Sequence, residues 1–425
     1  MEELKKWIDR REIYAIKGPR QSGKTTVLKI FKEWLIQEKK IHPENILFLT
    51  CEDPEILEKF SASPKDFIRS FIGSRKERFY FLIDEFQYLP EGGKKLKLLY
   101  DLFENVKFIV TGSSSLELTG KTGKFLVGRL FSFYLYQLSF EEFLQVKFPQ
   151  LSNVYQERAY RIKSFIEEGK DFSIPKEEIF ARDFEKAFGE YVIWGGYPEV
   201  IKTDDGETKM TILKNIFQTY ITRDIVELLR IKDFSKLRTV ITLLSTRTGS
   251  LINYNDLGNS ANIYFKELKH YLSILEETFI ISLIKPFFSN KTTELKKNPK
   301  VYFTDNGLRN YILRNFNELS LRPDRGAIVE NEVFNQLKIK EGEKYEIKYW
   351  RTLSKAEIDF VLQQNDFLLP IEVKYSPLKS PEISRSYRNF LSQYRPDRAI
   401  VLTKNFWGEL KIDKTLIKFI PVWYL

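Results

Sequence analysis

The chain has 425 residues, 43% of them hydrophobic and 30% charged, and this balance excludes an intrinsically disordered protein. It is too long for one ordinary core, so about two to four domains are expected. The net charge of +10 and pI of about 9.2 point to a polyanionic partner, nucleic acid ahead of an acidic membrane surface, with a lysine-rich solvated surface as the plainer alternative.

The single cysteine, Cys51, rules out an intrachain disulfide or a cysteine zinc cluster and suits a reducing cytoplasm. The start, Met1 to Lys6, lacks the apolar core of a signal peptide, and no apolar run approaches the roughly 20 residues needed to span a bilayer. Low Cys, Met and His with abundant Lys and Glu suggest a thermophile.

Short apolar strands alternate with amphipathic helices over residues 1–140, the pattern of a parallel α/β sheet. Strands are expected at Ile13–Ile16, Ile46–Thr50, Phe79–Ile83, Phe108–Thr111 and Phe131–Leu135. The helix after the first strand places Val27, Leu28, Phe31 and Leu35 on one face. Residues 141–230 read as a mostly helical extension that passes a sharp turn at Trp194-Gly195-Gly196-Tyr197-Pro198. Residues 231–325 read as three helices and two strands, and 326–425 as a helix followed by strands.

Gly18-Pro19-Arg20-Gln21-Ser22-Gly23-Lys24-Thr25 fits the phosphate-binding pattern G-x-x-x-x-G-K-[ST], and it follows a strand and opens a helix at Thr26, which makes the match meaningful. Backbone amides of such a loop face phosphate oxygens, the lysine reaches the β- and γ-phosphates, and the Thr25 hydroxyl ligates Mg²⁺. Phe79-Tyr80-Phe81-Leu82-Ile83 then ends in Asp84 and Glu85. Asp84 is expected in the Mg²⁺ shell and Glu85 as the base that polarises water. Ser113, after the fourth strand, is a candidate γ-phosphate sensor or an ordinary turn residue. Arg129 is a candidate for transition-state charge in its own or a neighbouring subunit, or a surface arginine. No guanine-reading motif lies in this region, which favours ATP.

Gly-Pro-Arg-Gln-Ser-Gly-Lys-Thr-Thr, Leu-Ile-Asp-Glu-Phe-Gln and Val-Thr-Gly-Ser-Ser-Ser, with the later Gly-Gly-Tyr-Pro-Glu-Val and Tyr-Ile-Thr-Arg-Asp-Ile, resemble a widespread archaeal and bacterial family of AAA-type ATPases. Members carry a C-terminal region of unknown function. The resemblance covers nearly the whole chain and implies an ATPase core with the catalytic glutamate beside the Mg²⁺ aspartate. Sites in this class are often completed by a neighbour's arginine, so a homo-oligomer is among the expected partners.

Within 231–325 the order is helix (Leu237–Thr246), short helix (Tyr254–Gly258), longer helix (Tyr264–Thr278) and hairpin (Ile280–Phe288, Lys300–Phe303), the order of a winged helix-turn-helix. The third helix presents Tyr264, Lys266 and Lys269 opposite its apolar stripe, and the basic loop from Lys291 to Lys300 carries Lys296 and Lys297. Residues 235–325 hold 14 Lys and Arg against 8 Asp and Glu, a net of +6, so DNA binding is expected here, against a helical lid or a protein-binding winged helix.

In 326–425, Glu330 falls on a helix (Ala327–Leu337), Asp359 in the strand Glu357–Leu362, and Glu372 and Lys374 on one face of the strand Pro370–Lys374. Two strand carboxylates and a helix carboxylate suit Mg²⁺, or Mn²⁺, with lysine stabilising phosphorane-like charge. The set resembles the PD-(D/E)XK nuclease superfamily, which implies Asp359, Glu372 and Glu330 as metal ligands and Lys374 as the catalytic lysine. Ile358 stands where the superfamily's proline is usual, and Glu357 is an alternative ligand. The expectation is therefore an AAA-type ATPase core with helical extension, winged helix and restriction-endonuclease-like α/β domain, acting as an ATP-dependent DNA-processing protein. The alternative is an ATP-driven switch that binds DNA or a protein with a nuclease fold that does not cleave.

Overall fold

Three runs in the N-terminal third are buried along their whole length: β1 (Ile13–Lys17), β3 (Phe79–Asp84) and β4 (Val106–Gly112). Continuous burial is the mark of inner strands in a parallel sheet covered on both faces. The less buried β2 (Ile46–Thr50) and β5 (Leu130–Tyr134) form the edges, and the five-stranded order is β2-β3-β4-β1-β5, parallel throughout. Strand alternation sorts the side chains: Ile13, Ala15, Phe79, Phe81, Ile83, Phe108 and Val110 enter one core. Tyr14, Ile16, Tyr80, Leu82 and Ile109 enter the other with Leu28, Phe31 and Leu35 of the helix Lys24–Gln37.

The computed structural model describes residues 1–113, 126–175, 178–220, 233–288, 297–341 and 344–425. They divide into two compact units. One takes in Met1–Gln137 with short later pieces, Glu277–Phe279 among them; the other is built from Leu138–Phe217, Lys232–Glu276 and Ile280–Leu425.

The second unit contains a hairpin, β6 (Ile281–Ile284) against β7 (Lys300–Phe303), and a six-stranded sheet. That sheet comprises β8 (Glu346–Arg351), β9 (Glu357–Gln364), β10 (Phe367–Lys374), β11 (Arg398–Thr403), β12 (Gly408–Ile412) and β13 (Thr415–Pro421), in the order β12-β13-β11-β10-β9-β8. β10, β11 and β13 run parallel and the remaining pairs are antiparallel. The helix Arg385–Tyr394 covers one face through Tyr387, Phe390 and Leu391. The sequence reading had neither this helix nor β12 and β13.

The helices expected as an extension of the ATPase core share a core with the C-terminal sheet instead. Phe140, Tyr155, Phe165 and Phe184 are buried with Ile371, Leu402, Trp423 and Tyr424. The Tyr155 hydroxyl donates to the Leu425 carbonyl at 3.1 Å, and Phe184 stacks on Trp423 at 6.0 Å between ring centroids. The turn at Gly195-Gly196 is held by Asp305, whose Oδ2 accepts the Gly196 N–H at 2.8 Å.

The three helices of the expected winged helix are Phe234–Ser245, Tyr254–Ala261 and Phe265–Glu277. Asp233 and Asn253 cap the first two by accepting the backbone N–H groups of Lys236 and Asp256. Leu251, between those helices, bridges antiparallel to Lys300, adding a contact to the β6–β7 hairpin. Among the described residues no helix is long and apolar enough to cross a membrane.

Candidate functional site

Because β4 lies between β1 and β3, three strand ends meet at one edge of the first sheet. They are the loop Gly18–Gly23 after β1, Asp84–Glu85 after β3, and Thr111–Ser113 at the end of β4. A Cβ on Gly18 would stand 1.9 Å from the Leu135 carbonyl oxygen, and Gly23 has φ +98°, so both positions require glycine. The helix Lys24–Gln37 starts directly from this loop, which places its N-terminus and the positive end of its dipole at the loop.

Lys24 is buried, and its Nζ donates to the carbonyls of Gly18 at 3.0 Å and Pro19 at 2.7 Å. The Thr25 hydroxyl donates to Asp84 Oδ2 at 2.6 Å. Thr111, which the sequence reading missed, donates its hydroxyl to Asp84 Oδ1 and accepts the Glu85 N–H at 3.1 Å. Arg20 pairs with Glu52 at 3.2 Å, Gln21 is exposed with φ +58°, and Thr26 is exposed in the first helical turn. Ser22 Oγ is buried without a hydrogen-bond partner.

A buried ammonium bonded to loop carbonyls, an orphaned hydroxyl and a helix N-terminus form a donor set matched to phosphate oxygens. The Thr25–Asp84 oxygen pair matches one side of a Mg²⁺ shell. ATP and Mg²⁺ therefore fit the residues present.

Glu85 sits in the left-handed region at φ +51°, which turns it out of the strand. Burial pushes its carboxyl above the usual range, with Lys24 pulling the other way. Its Oε2 accepts from Gln87 Nε2, and the same amide donates to Ser113 Oγ at 3.0 Å. Gln87 was also missed; a lone polar side chain inside Phe86-Gln87-Tyr88, directly after the acid pair, was the available signal.

Arg129 is placed elsewhere. It precedes β5, and Leu130 pairs with Ile13 at the start of β1, so Arg129 lies at the sheet edge opposite the phosphate loop. Its Nε is 3.1 Å from Asp101 Oδ1. This position excludes contact with a nucleotide held by its own chain.

In the second unit, Asp359 is half-buried at an irregularity in the β8–β9 pairing, and its Oδ2 accepts the Val373 N–H at 2.8 Å. Burial raises its carboxyl well above the usual range, and Glu330 and Glu372 add to the effect. Glu372 accepts from Ser384 Oγ at 3.2 Å, and burial raises it too. Lys374 turns to the Glu382 carbonyl at 3.5 Å.

Glu330, Asp359 and Glu372 are the side chains expected to form a metal shell. Among the described residues no group of three or more His, Cys, Asp or Glu side chains is placed to hold a metal ion. A cation of the chain's own is there: Lys300 Nζ lies 3.2 Å from Glu330 Oε1 and 2.5 Å from Glu357 Oε1. The Tyr302 hydroxyl donates to Glu330 Oε1 at 2.6 Å. Burial alone would lower the Lys300 ammonium, but Glu330, Asp359 and Glu357 together raise it above its ordinary value. Lys300, expected at the end of the basic loop and the start of the strand Lys300–Phe303, opens β7 and is 1% exposed.

On the helix Phe265–Glu277 and just before it, Tyr264 is 88% and Phe265 53% exposed, with Lys266 and Lys269 also exposed. Lys269 Nζ lies 4.7 Å from the Phe265 ring centroid. Lys297 is exposed, and Lys296 lies outside the described residues.

Comparison with known proteins agrees with the first site. Residues 10–144 match the model of an AAA domain, while 185–319 and 325–425 match two domains of unknown function, DUF8612 and DUF4143. An uncharacterized protein of Haemophilus influenzae is 28% identical, the alignment covering 100% of this chain and 97% of that protein. An uncharacterized protein of Methanocaldococcus jannaschii is 24% identical over 97% of this chain and 87% of its own. Among solved structures, the ADP form of Aeropyrum pernix ORC2 aligns with 13% identity and TM-score 0.34 over 74% of this chain and 91% of that one. Domain III of Thermotoga maritima DnaA aligns with 17% identity and TM-score 0.28 over 51% and 88%. The sheet, the phosphate loop and the AAA match together support an AAA-type P-loop ATPase with a C-terminal domain of unknown function.

Proposed function

We propose that the chain is an ATP-hydrolysing switch that engages DNA through its winged-helix segment without cleaving it. The observation that carries the ATPase reading is the convergence of Lys24, Thr25, Asp84, Thr111 and Glu85 at one sheet edge. ATP with Mg²⁺ supplies a γ-phosphoryl group for transfer to water. Lys24 supplies positive charge to the phosphates, Thr25 and Asp84 offer oxygens to the metal, and Thr111 fixes Asp84 and the Glu85 backbone. Glu85 accepts a proton from the attacking water. Arg129 is available only to a neighbouring copy.

DNA engagement rests on the exposed Tyr264, Phe265, Lys266, Lys269 and Lys297, which pair aromatic faces with phosphate-seeking charge. For the C-terminal sheet the sequence leaves both a nuclease and a fold without cleavage chemistry open; the Lys300 ammonium among Glu330, Glu357 and Asp359 favours the second. A metal-dependent cleavage assay on labelled duplex, single-stranded and branched DNA, with Mg²⁺ or Mn²⁺ and with or without ATP, tests this. Binding without cleavage is expected. Cleavage by the wild type that is lost in Asp359→Ala and Lys374→Ala would restore the nuclease reading.

A further inference from the structure

Gln87 is 2% exposed in the single 3-10 turn Phe86–Tyr88 that follows β3. Its amide nitrogen bridges two groups from different strands, the Glu85 carboxylate and Ser113 Oγ. Its amide oxygen, also buried, has no hydrogen-bond partner. A buried primary amide with one unsatisfied end is costly, and a methionine would fill the same volume without that cost. The arrangement therefore serves the two bonds the nitrogen makes.

Those bonds decide where the Glu85 carboxylate stands. Its backbone is already fixed by the left-handed turn and by the N–H bond to Thr111, leaving the side-chain torsions as the remaining freedom. Gln87 restrains them and ties the carboxylate to the end of β4. Ser113 lies there at the same sheet edge as the phosphate loop, because β4 neighbours β1 with Lys17 paired to Gly112.

We propose that Gln87 is a positioning residue for hydrolysis, its amide coupling the Glu85 carboxylate to Ser113 so that the base is aimed only in register with the end of β4. This rests on the reading of the chain as an ATPase. It assigns Gln87 an effect on turnover and none on nucleotide affinity, since neither of its bonds reaches the phosphate loop.

The test compares wild type, Gln87→Met, Gln87→Ala, Ser113→Ala and the Gln87→Met/Ser113→Ala double variant. It measures steady-state ATP hydrolysis with Mg²⁺, affinity for a fluorescent ATP analogue, and thermal unfolding. The expected result is a fall in kcat of about 10- to 100-fold in both Gln87 variants, with Kd unchanged within about twofold and the unfolding temperature retained. The double variant is expected to lose no more than the worse single variant, because both changes break one linkage. Wild-type kcat in Gln87→Met and Gln87→Ala, or kcat and affinity falling together, would overturn the proposal while leaving the ATPase reading intact. Fully additive losses in the double variant would overturn the coupling. Absence of hydrolysis by the wild type would overturn the ATPase reading and this proposal with it.

Discussion

The Thr25 hydroxyl lies 2.6 Å from Asp84 Oδ2, although the two residues are 59 positions apart in sequence. The contact follows from strand order: β1 delivers the phosphate loop and β3 delivers Asp84 to the same edge, with Thr111 of β4 holding the second carboxylate oxygen. Thr25→Ala and Asp84→Asn each remove one oxygen ligand from the metal side of the site. Each is expected to lower Mg²⁺-dependent ATP turnover by about 100-fold, read by phosphate release across a Mg²⁺ titration. Thr25→Val with wild-type turnover would contradict the assignment.

Lys300 is the only side chain with a positive charge bonded to both Glu330 and Glu357 among the described residues. Lys300→Met leaves the half-buried Glu330 carboxylate without its cation, while Glu357 keeps Arg351 at 2.6 Å, and a loss of about 3 kcal/mol in unfolding free energy is expected, measured by urea denaturation. The double change Lys300→Met with Glu330→Gln is expected to recover part of it.

Lys266, Lys269 and Lys297 are exposed. Changing all three to Glu is expected to weaken duplex binding and to flatten the dependence of log K on log salt by about 0.9 for each phosphate contact removed. Fluorescence anisotropy at several salt concentrations reads both. An unchanged slope would place the DNA surface elsewhere.

Glu332 is buried, accepting from Gln336 Nε2 at 2.7 Å and Asn306 Nδ2 at 3.1 Å, and burial pushes its carboxyl up to about 8. Its folded pKa is above the ordinary 4.5, so the folded state binds the proton more tightly than the unfolded state. The stabilisation is full below about 4.5 and is lost as pH rises through about 8. Unfolding measured from pH 5 to pH 9 is expected to show declining stability, with a shallower decline in Glu332→Gln.

The nucleotide site was legible because each part advertises itself locally: an apolar strand ending in a glycine loop, and another ending in two acids. Thr111 and Gln87 were not, since their roles come from β4 lying between β1 and β3, and strand order is not written in any one segment. The strand that Lys300 opens was legible, but the burial of its side chain was not, for a related reason. Lys300 opens an apolar strand just after a basic stretch, and only the pairing of β7 with β6, and the approach of Glu330 from the helix Arg325–Glu341, turn it inward. The helices 141–217 carried their apolar stripes plainly, but nothing local said that Phe140 and Tyr155 would pack with Trp423 and Tyr424.

The most direct test of the central claim is steady-state ATP hydrolysis with Mg²⁺ by wild type, Lys24→Ala and Glu85→Gln, alongside nucleotide affinity. The account predicts turnover by the wild type and loss of both binding and turnover in Lys24→Ala. Glu85→Gln is expected to bind ATP normally with turnover reduced about 100- to 10,000-fold. Wild-type phosphate release no greater than that of Lys24→Ala would contradict it.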